Sequence, residues 1–268
     1  MDKRSDQTYL KNEQYKDATN FNARYQLHER FSVNKRGWHP WVFDQLDLPE
    51  RSHVLELGCG PGRLWQENMD RLPEGWHITL SDFSPGMVAQ AEQSLNPSGL
   101  DLSFQVIDAQ DIPFDAEQFD AVIANHMLYH VPDREKAYAE IHRVLKPEAH
   151  FFAATNGSGH HREMAELGRE FDPSISFWET KRPSNPFDLD HAPAEIDRWF
   201  SEVQVIRNDD ALLVSEAEPL VAYIASGPGT KDALVGDTWT AFMHFIQEKL
   251  QTGPIRITKD AGLIRAKK

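Results

Sequence analysis

Five short apolar runs punctuate the first two thirds of the chain: residues 53–57 (HVLEL), 76–81 (WHITLS), 102–107 (LSFQVI), 121–125 (AVIAN) and 150–155 (HFFAAT). Their length and β-branched content predict buried strands. Between them, 63–71, 85–95 and 134–145 have helical character, the last ended by Lys146-Pro147. Strands alternating with helices at this spacing predict βαβ crossovers and a mostly parallel sheet, so the class is α/β. Residues 1–45 are polar with unevenly spaced aromatics and read as two or three helices ahead of the main fold. Beyond Thr155, Asn156-Gly157-Ser158-Gly159 reads as a turn and 173–193 as a loop or cap carrying scattered prolines. A helix at 194–200, strands at 203–207 and 211–215, and helices at 219–225 and 238–250 follow. The tail, 255–268, alternates apolar and polar residues around Asp260-Ala261-Gly262 and reads as an edge hairpin. The division expected is a helical lid over 1–45, a core over 46–156, and a cap with completion of the sheet over 157–268.

Composition narrows the function. The 268 residues are 40% hydrophobic and 26% charged, with a net charge of −14. That acidity argues against a phosphate-tracking surface and favours a small-molecule partner over nucleic acid. No run of 18 apolar residues and no signal-peptide core is visible, so no membrane association and a cytoplasmic location are expected. A single cysteine, Cys59, excludes an internal disulfide, and no Cys/His cluster has metal-ligand spacing among the 12 histidines. Nothing in the pattern sets an oligomeric state.

The chemistry begins at Val54-Leu55-Glu56-Leu57-Gly58-Cys59-Gly60-Pro61-Gly62, a strand running into three alternating glycines and then a helix. Glycine without a Cβ lets backbone approach a ligand closely, although a plain strand-to-helix turn would use the same residues. A dinucleotide site would show glycine where Arg63 stands, so the spacing points to a cofactor without a pyrophosphate. Asp82 ends the second run, where a carboxylate can accept bonds from ribose hydroxyls. Ser84-Pro85 caps the next helix. Asp108 closes the third run, as a ligand or as a turn residue. Gly58, Asp82, Asp108 and Asn125 should share the carboxyl edge of the sheet.

These motifs, LELGCGPG (55–62), LSDFSPGM (80–87), VIDAQDIPF (106–114), FDAVIANHMLYHV (119–131) and EIHRVLKPEAHFFAAT (140–155), resemble the class I S-adenosylmethionine-dependent methyltransferases. The likeness is to their bacterial small-molecule branch, with the menaquinone and ubiquinone methyltransferase-like proteins. It implies a Rossmann-like seven-stranded sheet ordered 3-2-1-4-5-7-6 with a cap insertion, and S-adenosyl-L-methionine as cofactor. It further implies Gly58 and Gly60 near the methionine moiety and Asp82 on the ribose; Cys59, a residue of the same cofactor-binding loop, reads as a small buried filler because nothing nearby would depress its pKa into a reactive range. Phe83 and Met87 would lie against adenine, Asp108 and Ala109 at its amino edge, and Asn125 beneath the sulfonium. One departure stands out: the family carries glycine shortly after Lys-Pro, where this chain reads Lys146-Pro147-Glu148-Ala149.

His126 and His130 flank Tyr129 where the family's acceptor pocket opens. Each is a candidate general base, an orienting donor or a packing residue, with His130 first. His160-His161 reads as a surface pair. Tyr15, Tyr25 and His28, with Tyr129, are candidate lid or substrate contacts, and packing against the sheet is the competing role for the segment ahead of the first strand. The function expected is methyl transfer to an N or O atom of a small acceptor. The alternatives are a protein or RNA acceptor, and a noncatalytic module that binds the cofactor.

Overall fold

The structure, a computed structural model, describes residues 27–96, 99–175, 187–227, 230 and 233–268. The strands are β1 (His53–Leu57), β2 (His77–Asp82), β3 (Leu102–Val106), β4 (Phe119–Asn125), β5 (Leu145–Asn156), β6 (Ser201–Val214) and β7 (Ile255–Lys267). They form one sheet in the order β3-β2-β1-β4-β5-β7-β6, the order the resemblance implies. The first five strands in that order pair in parallel, and β7 runs antiparallel to both β5 and β6. The helices are α1 (Trp38–Phe43), α2 (Arg63–Gln66), α3 (Pro85–Leu95), α4 (Arg134–Val144), α5 (Arg162–Phe171), α6 (Ala192–Ile196), α7 (Ala217–Ala225) and α8 (Gly236–Leu250).

Both faces of the central strands are covered, which is why they read as continuous apolar runs rather than alternating ones. On one face Leu55, Leu57, Val122 and Phe151 pack with Tyr138 and Ile141 of α4. On the other, Val54, Ile78, Leu80 and Ile123 pack with Trp41, Val42 and Trp65. A third cluster joins Leu212, Val214 and Ile257 to α7 and α8 through Leu220, Ile224, Phe242 and Ile246. Helix α3 starts where its sequence dictates: Ser84 Oγ accepts from the Met87 amide and Pro85 fills the first position.

The structure corrects several expectations. The tail is one strand, not an edge hairpin, and β7 lies inside the sheet between β5 and β6. Asp260-Ala261-Gly262 makes no turn; a Cβ on Gly262 would lie 2.5 Å from the Ile206 carbonyl, so glycine here serves close packing rather than reversal. The runs expected at 203–207 and 211–215 fall in a single strand, β6, whose pairing with β7 is unbroken from Gln204 to Val214. Residues 63–71 divide into α2 and a 3₁₀ turn at Met69–Arg71. Without glycine after Lys146-Pro147, Glu148 itself takes the left-handed conformation (φ 64°) where the β4–β5 register jumps from Phe119↔Leu145 to Ala121↔His150. Strand β6 is an edge of the sheet; it opens with its own irregularity between Ser201 and Gln204, with Glu202 at φ 51°.

Candidate active site

The chain leaves β1 toward β2 and β3, then returns through β4 on the other side, so the carboxyl ends of β1 and β4 diverge and open a crevice. A cavity of about 600 Å³ occupies it, within the range of small-molecule sites.

The glycine loop forms one wall. Gly58 (φ 70°) ends β1, and a Cβ there would sit 2.6 Å from Met127 Cβ. Gly62 (φ 81°) caps α2 and would meet Leu95 at 2.7 Å, whereas Gly60 (φ 53°) has open space before it. Backbone approach to a ligand is therefore available at Gly60, while Gly58 and Gly62 satisfy packing. The Cys59 amide donates to the Ser81 carbonyl at 2.8 Å, tying the loop to β2. Burial pushes the Cys59 thiol well above its ordinary range, as suits a filler rather than a nucleophile.

Asp82 lies beside the loop. Its carboxylate accepts the Gly60 amide at 3.0 Å and the Ser84 amide at 2.8 Å. Burial outweighs these bonds and raises its pKa, so a further pair of donors would stabilise the charged form. Phe83, Met87, Asp108 and Ala109 line the same wall. Asp108 accepts from the Gln110 amide at 2.9 Å, so it serves the turn and still faces the cavity.

Across the crevice stand Asn125, His126, Tyr129 and His130. Asn125 Oδ1 accepts from Trp38 Nε1 at 3.1 Å. His126 adopts φ 56° and lies 4.9 Å from the Trp38 ring. Burial lowers its pKa to about 4, so it is neutral at pH 7. His130 packs edge-on against Tyr129, with ring centroids 4.5 Å apart. His28 also reaches the cavity, while Tyr15 and Tyr25 lie outside the described residues.

His160 and His161 are not a surface pair. They stack on each other with centroids 3.7 Å apart, and His161 stacks on His28 at 5.4 Å. Burial holds both well below the ordinary histidine range. The misreading came from the flanking Gly157-Ser158-Gly159: β7 and the Asp260 backbone cover the turn, whose Gly157 amide donates to the Asp260 carbonyl at 2.8 Å. Among the described residues no three His, Cys, Asp or Glu side chains converge as metal ligands.

Three further features escaped the sequence reading. Glu56, buried in the floor, accepts from Trp65 Nε1 at 2.6 Å, and burial pushes its pKa up to about 8. An acid within an otherwise apolar run was its available signal. Trp38 follows Gly37 (φ 79°) at the start of α1 and was hidden among many aromatics. Lys259 and Asp210 form a buried ion pair at the far end of the cavity, and alternation in β7 gave no hint of it.

Known proteins resemble this chain in sequence and in fold. A family profile described as a methyltransferase domain matches residues 55–153. The ubiquinone biosynthesis O-methyltransferase of Xanthomonas oryzae pv. oryzae is 31% identical over 173 residues, covering 63% of this chain and 68% of that protein. The ubiquinone/menaquinone biosynthesis C-methyltransferase UbiE of Desulfotalea psychrophila is 34% identical over 110 residues, 41% of this chain and 44% of that protein. The chain spans 44% to 66% of the length of the first curated relatives it matches. Among solved structures, phosphoethanolamine N-methyltransferase 2 of Haemonchus contortus superposes with a TM-score of 0.59 at 16% identity, covering 98% of this chain and 59% of that one. The YcgJ protein of Bacillus subtilis gives 0.57 at 18% identity, over 86% and 97%. At these identities the structural likeness is one of fold.

Proposed function

Because the chain belongs to the class I S-adenosylmethionine-dependent methyltransferases, we propose that it moves a methyl group from S-adenosylmethionine to an N or O atom of a small-molecule acceptor. The observation that carries this reading is that the glycine loop and its acids share one cavity with Asn125, His126, Tyr129 and His130. The residues present fit the cofactor. Asp82 faces the cavity as a carboxylate whose two backbone donors do not offset its desolvation, so a ribose diol would add stabilising bonds, and Glu56 is a buried acid that a cationic amino group would ionise.

In this reading Gly60 would present its backbone to the methionine moiety, with Gly58 keeping the loop packed on Met127 beside it and Cys59 filling the space behind. Asp82 accepts the ribose hydroxyls. Phe83 and Met87 would hold the adenine, Asp108 and Ala109 its amino edge, and Asn125, held by Trp38, the sulfonium end. The cofactor supplies a methyl group already activated by the positive charge on sulfur. The protein's part is then chiefly alignment, which contributes about 7 to 11 kcal/mol, against roughly 10²- to 10⁴-fold for a general base. His126, with a pKa of about 4, is a weak proton acceptor, so His130 is the first candidate base where the acceptor must lose a proton. Of the residues ahead of the first strand and after the fourth, His28 and Tyr129 line the cavity and would help to exclude water from the acceptor.

The test is an acceptor screen on the full chain reading S-adenosylhomocysteine release. It is followed by single-turnover rate against pH for His130→Ala, His126→Ala and Asn125→Ala. Turnover with a small acceptor and losses below about 10⁴-fold for either histidine are expected. Binding of S-adenosylmethionine without turnover on any acceptor would leave a noncatalytic module and overturn the proposal.

A further inference from the structure

The cavity is electrically lopsided. Its acids Asp82 and Asp108, with Glu56, which burial keeps protonated until a cation ionises it, gather at the carboxyl ends of β1, β2 and β3, where a cofactor with a cationic amino group is proposed to lie. At the opposite end, β7 contributes Lys259, a cation whose side chain is only 8% exposed. A buried lysine in a cavity wall is costly unless its donors are used. Lys259 Nζ donates to Ser32 Oγ at 2.9 Å and pairs with Asp210. Asp210 is also satisfied by the backbone: its Oδ1 accepts the Asn34 amide at 2.9 Å and the Ala211 amide at 2.7 Å. The carboxylate's charge is thus shared among three donors, and among the described residues the third N–H of Lys259 has no partner. The same cavity takes in His160, whose ring faces the Asp260 backbone and whose Nδ1 is buried without a hydrogen-bond partner among the described residues. Both residues line the cavity, one from β7 and the other from the turn after β5.

The imidazoles here add no competing charge. His28, with a pKa lowered to about 3, and His160 and His161 are held neutral by burial, with Lys259 opposing their protonation. His126, on the β4 side, is likewise neutral. Two further carboxylates belong to this end: Asp260, which pairs with Arg207 and accepts the Gly159 amide at 3.1 Å, and Glu29, which is exposed to solvent at the rim.

The geometry points to an oxyanion site: Lys259 and His160 bind a carboxylate or an ionised phenol carried by the methyl acceptor. This inference rests on the methyltransferase reading and deepens it. A cationic amine would meet Lys259 unfavourably, whereas an oxyanion accepts one hydrogen bond from the free N–H of the lysine and one from His160 in its Nδ1–H tautomer. Opposite charges at the two ends would also fix which end of the cavity each reactant occupies.

The test is calorimetry on the full chain saturated with S-adenosylhomocysteine, using benzoate and para-nitrophenolate as oxyanion probes, with benzamide and benzylamine as neutral and cationic controls. At least one oxyanion is expected to bind roughly ten- to a hundredfold more tightly than either control, the range of a charge-assisted hydrogen bond. Benzoate alone would mark an anchoring carboxylate, and para-nitrophenolate alone an ionised hydroxyl. The double variant Lys259→Met/Asp210→Asn, which leaves no orphaned buried charge, should abolish the preference while S-adenosylhomocysteine affinity holds. His160→Ala, which leaves the ion pair intact, should weaken the oxyanion roughly two- to tenfold. Equal binding of the controls, binding by neither oxyanion, or a preference that survives in both variants would overturn the proposal. Failure of S-adenosylhomocysteine to bind with the oxyanion preference intact would instead remove the methyltransferase reading and leave the anion site standing.

Discussion

The two ends of the cavity are built from different materials. The end on β1, β2 and β3 is made largely of backbone: glycines at positive φ, and amides of Gly60 and Ser84 aimed at Asp82. Its parts come from neighbouring stretches of chain. The end on β5, β6 and β7 is made of side chains brought together from far apart, with Ser32 meeting Lys259 and His28 stacking on His161. Backbone donors cost no rotamer entropy to align and suit one fixed ligand. Side-chain walls can be exchanged without disturbing the sheet, which lets one scaffold serve many acceptors.

The comparison is tested most severely at Gly58. Gly58→Ala forces a Cβ to within 2.6 Å of Met127 at φ 70°. It should destabilise the fold by about 2 to 5 kcal/mol, combining left-handed strain with overpacking, and lower affinity for S-adenosylhomocysteine. Urea unfolding with an unchanged midpoint would mean that the backbone wall is less rigid than described. Asp82→Ala removes one charge-assisted contact set and should weaken S-adenosylhomocysteine by about 1.5 to 3 kcal/mol, roughly one to two decades in Kd, in a folded protein. Calorimetry showing wild-type affinity would sever Asp82 from the ribose.

Titration separates the two ends by sign. His28 (about 3) and His126 (about 4) stay neutral in the fold, whereas unfolded histidine gains a proton below about 6.5. Their contribution is therefore complete above about pH 6.5 and is lost as pH falls toward 4, by up to about 1.4 kcal/mol per pH unit for each. Glu56 behaves oppositely. Its folded pKa of about 8 lies above the unfolded value, so stability declines as pH rises between about 4.5 and 8, and Glu56→Gln should flatten that limb. Urea midpoints measured from pH 4.5 to 8.5 for wild type and Glu56→Gln check both slopes; parallel curves would contradict the burial of Glu56. The smallest effect is expected at Trp38→Phe, which forfeits the bond to Asn125 for about 0.5 to 1.5 kcal/mol. If its thermal midpoint is unchanged, Asn125 is held by its strand alone.

What could be read from the chain follows the same division. The glycine loop, Asp82, Asp108 and Asn125 were legible because each sits at the end of an apolar run, and strand ends in a parallel sheet share one edge. Helix α3 was legible through Ser84-Pro85. The tail was misread because a glycine packed under Ile206 looks the same in one dimension as a glycine that turns. His160 and His161 were misread because their burial is imposed by β7, about a hundred residues further on. Lys259 and Asp210 were invisible for the corresponding reason: each is an ordinary polar position in an alternating strand until the sheet places them side by side.

One feature of the edge strand reaches beyond the cavity. Residues 32–34 lie along the outer side of β6, where Ser32 bridges Leu212 and the Val33 amide donates to Ala211 at 2.8 Å. The stretch they leave uncovered opens with the irregularity at Glu202 and exposes Arg207 and Asp209, features that discourage another strand from adding to the sheet. Residues 32–34 thus act as a stopper on the segment of β6 that has neither kink nor exposed charge beyond Asp209. Trimming the chain past Asn34 would open a row of unpaired backbone groups beside the exposed Leu213. Such a truncated protein should associate with itself in a concentration-dependent way, which sedimentation at several concentrations would read.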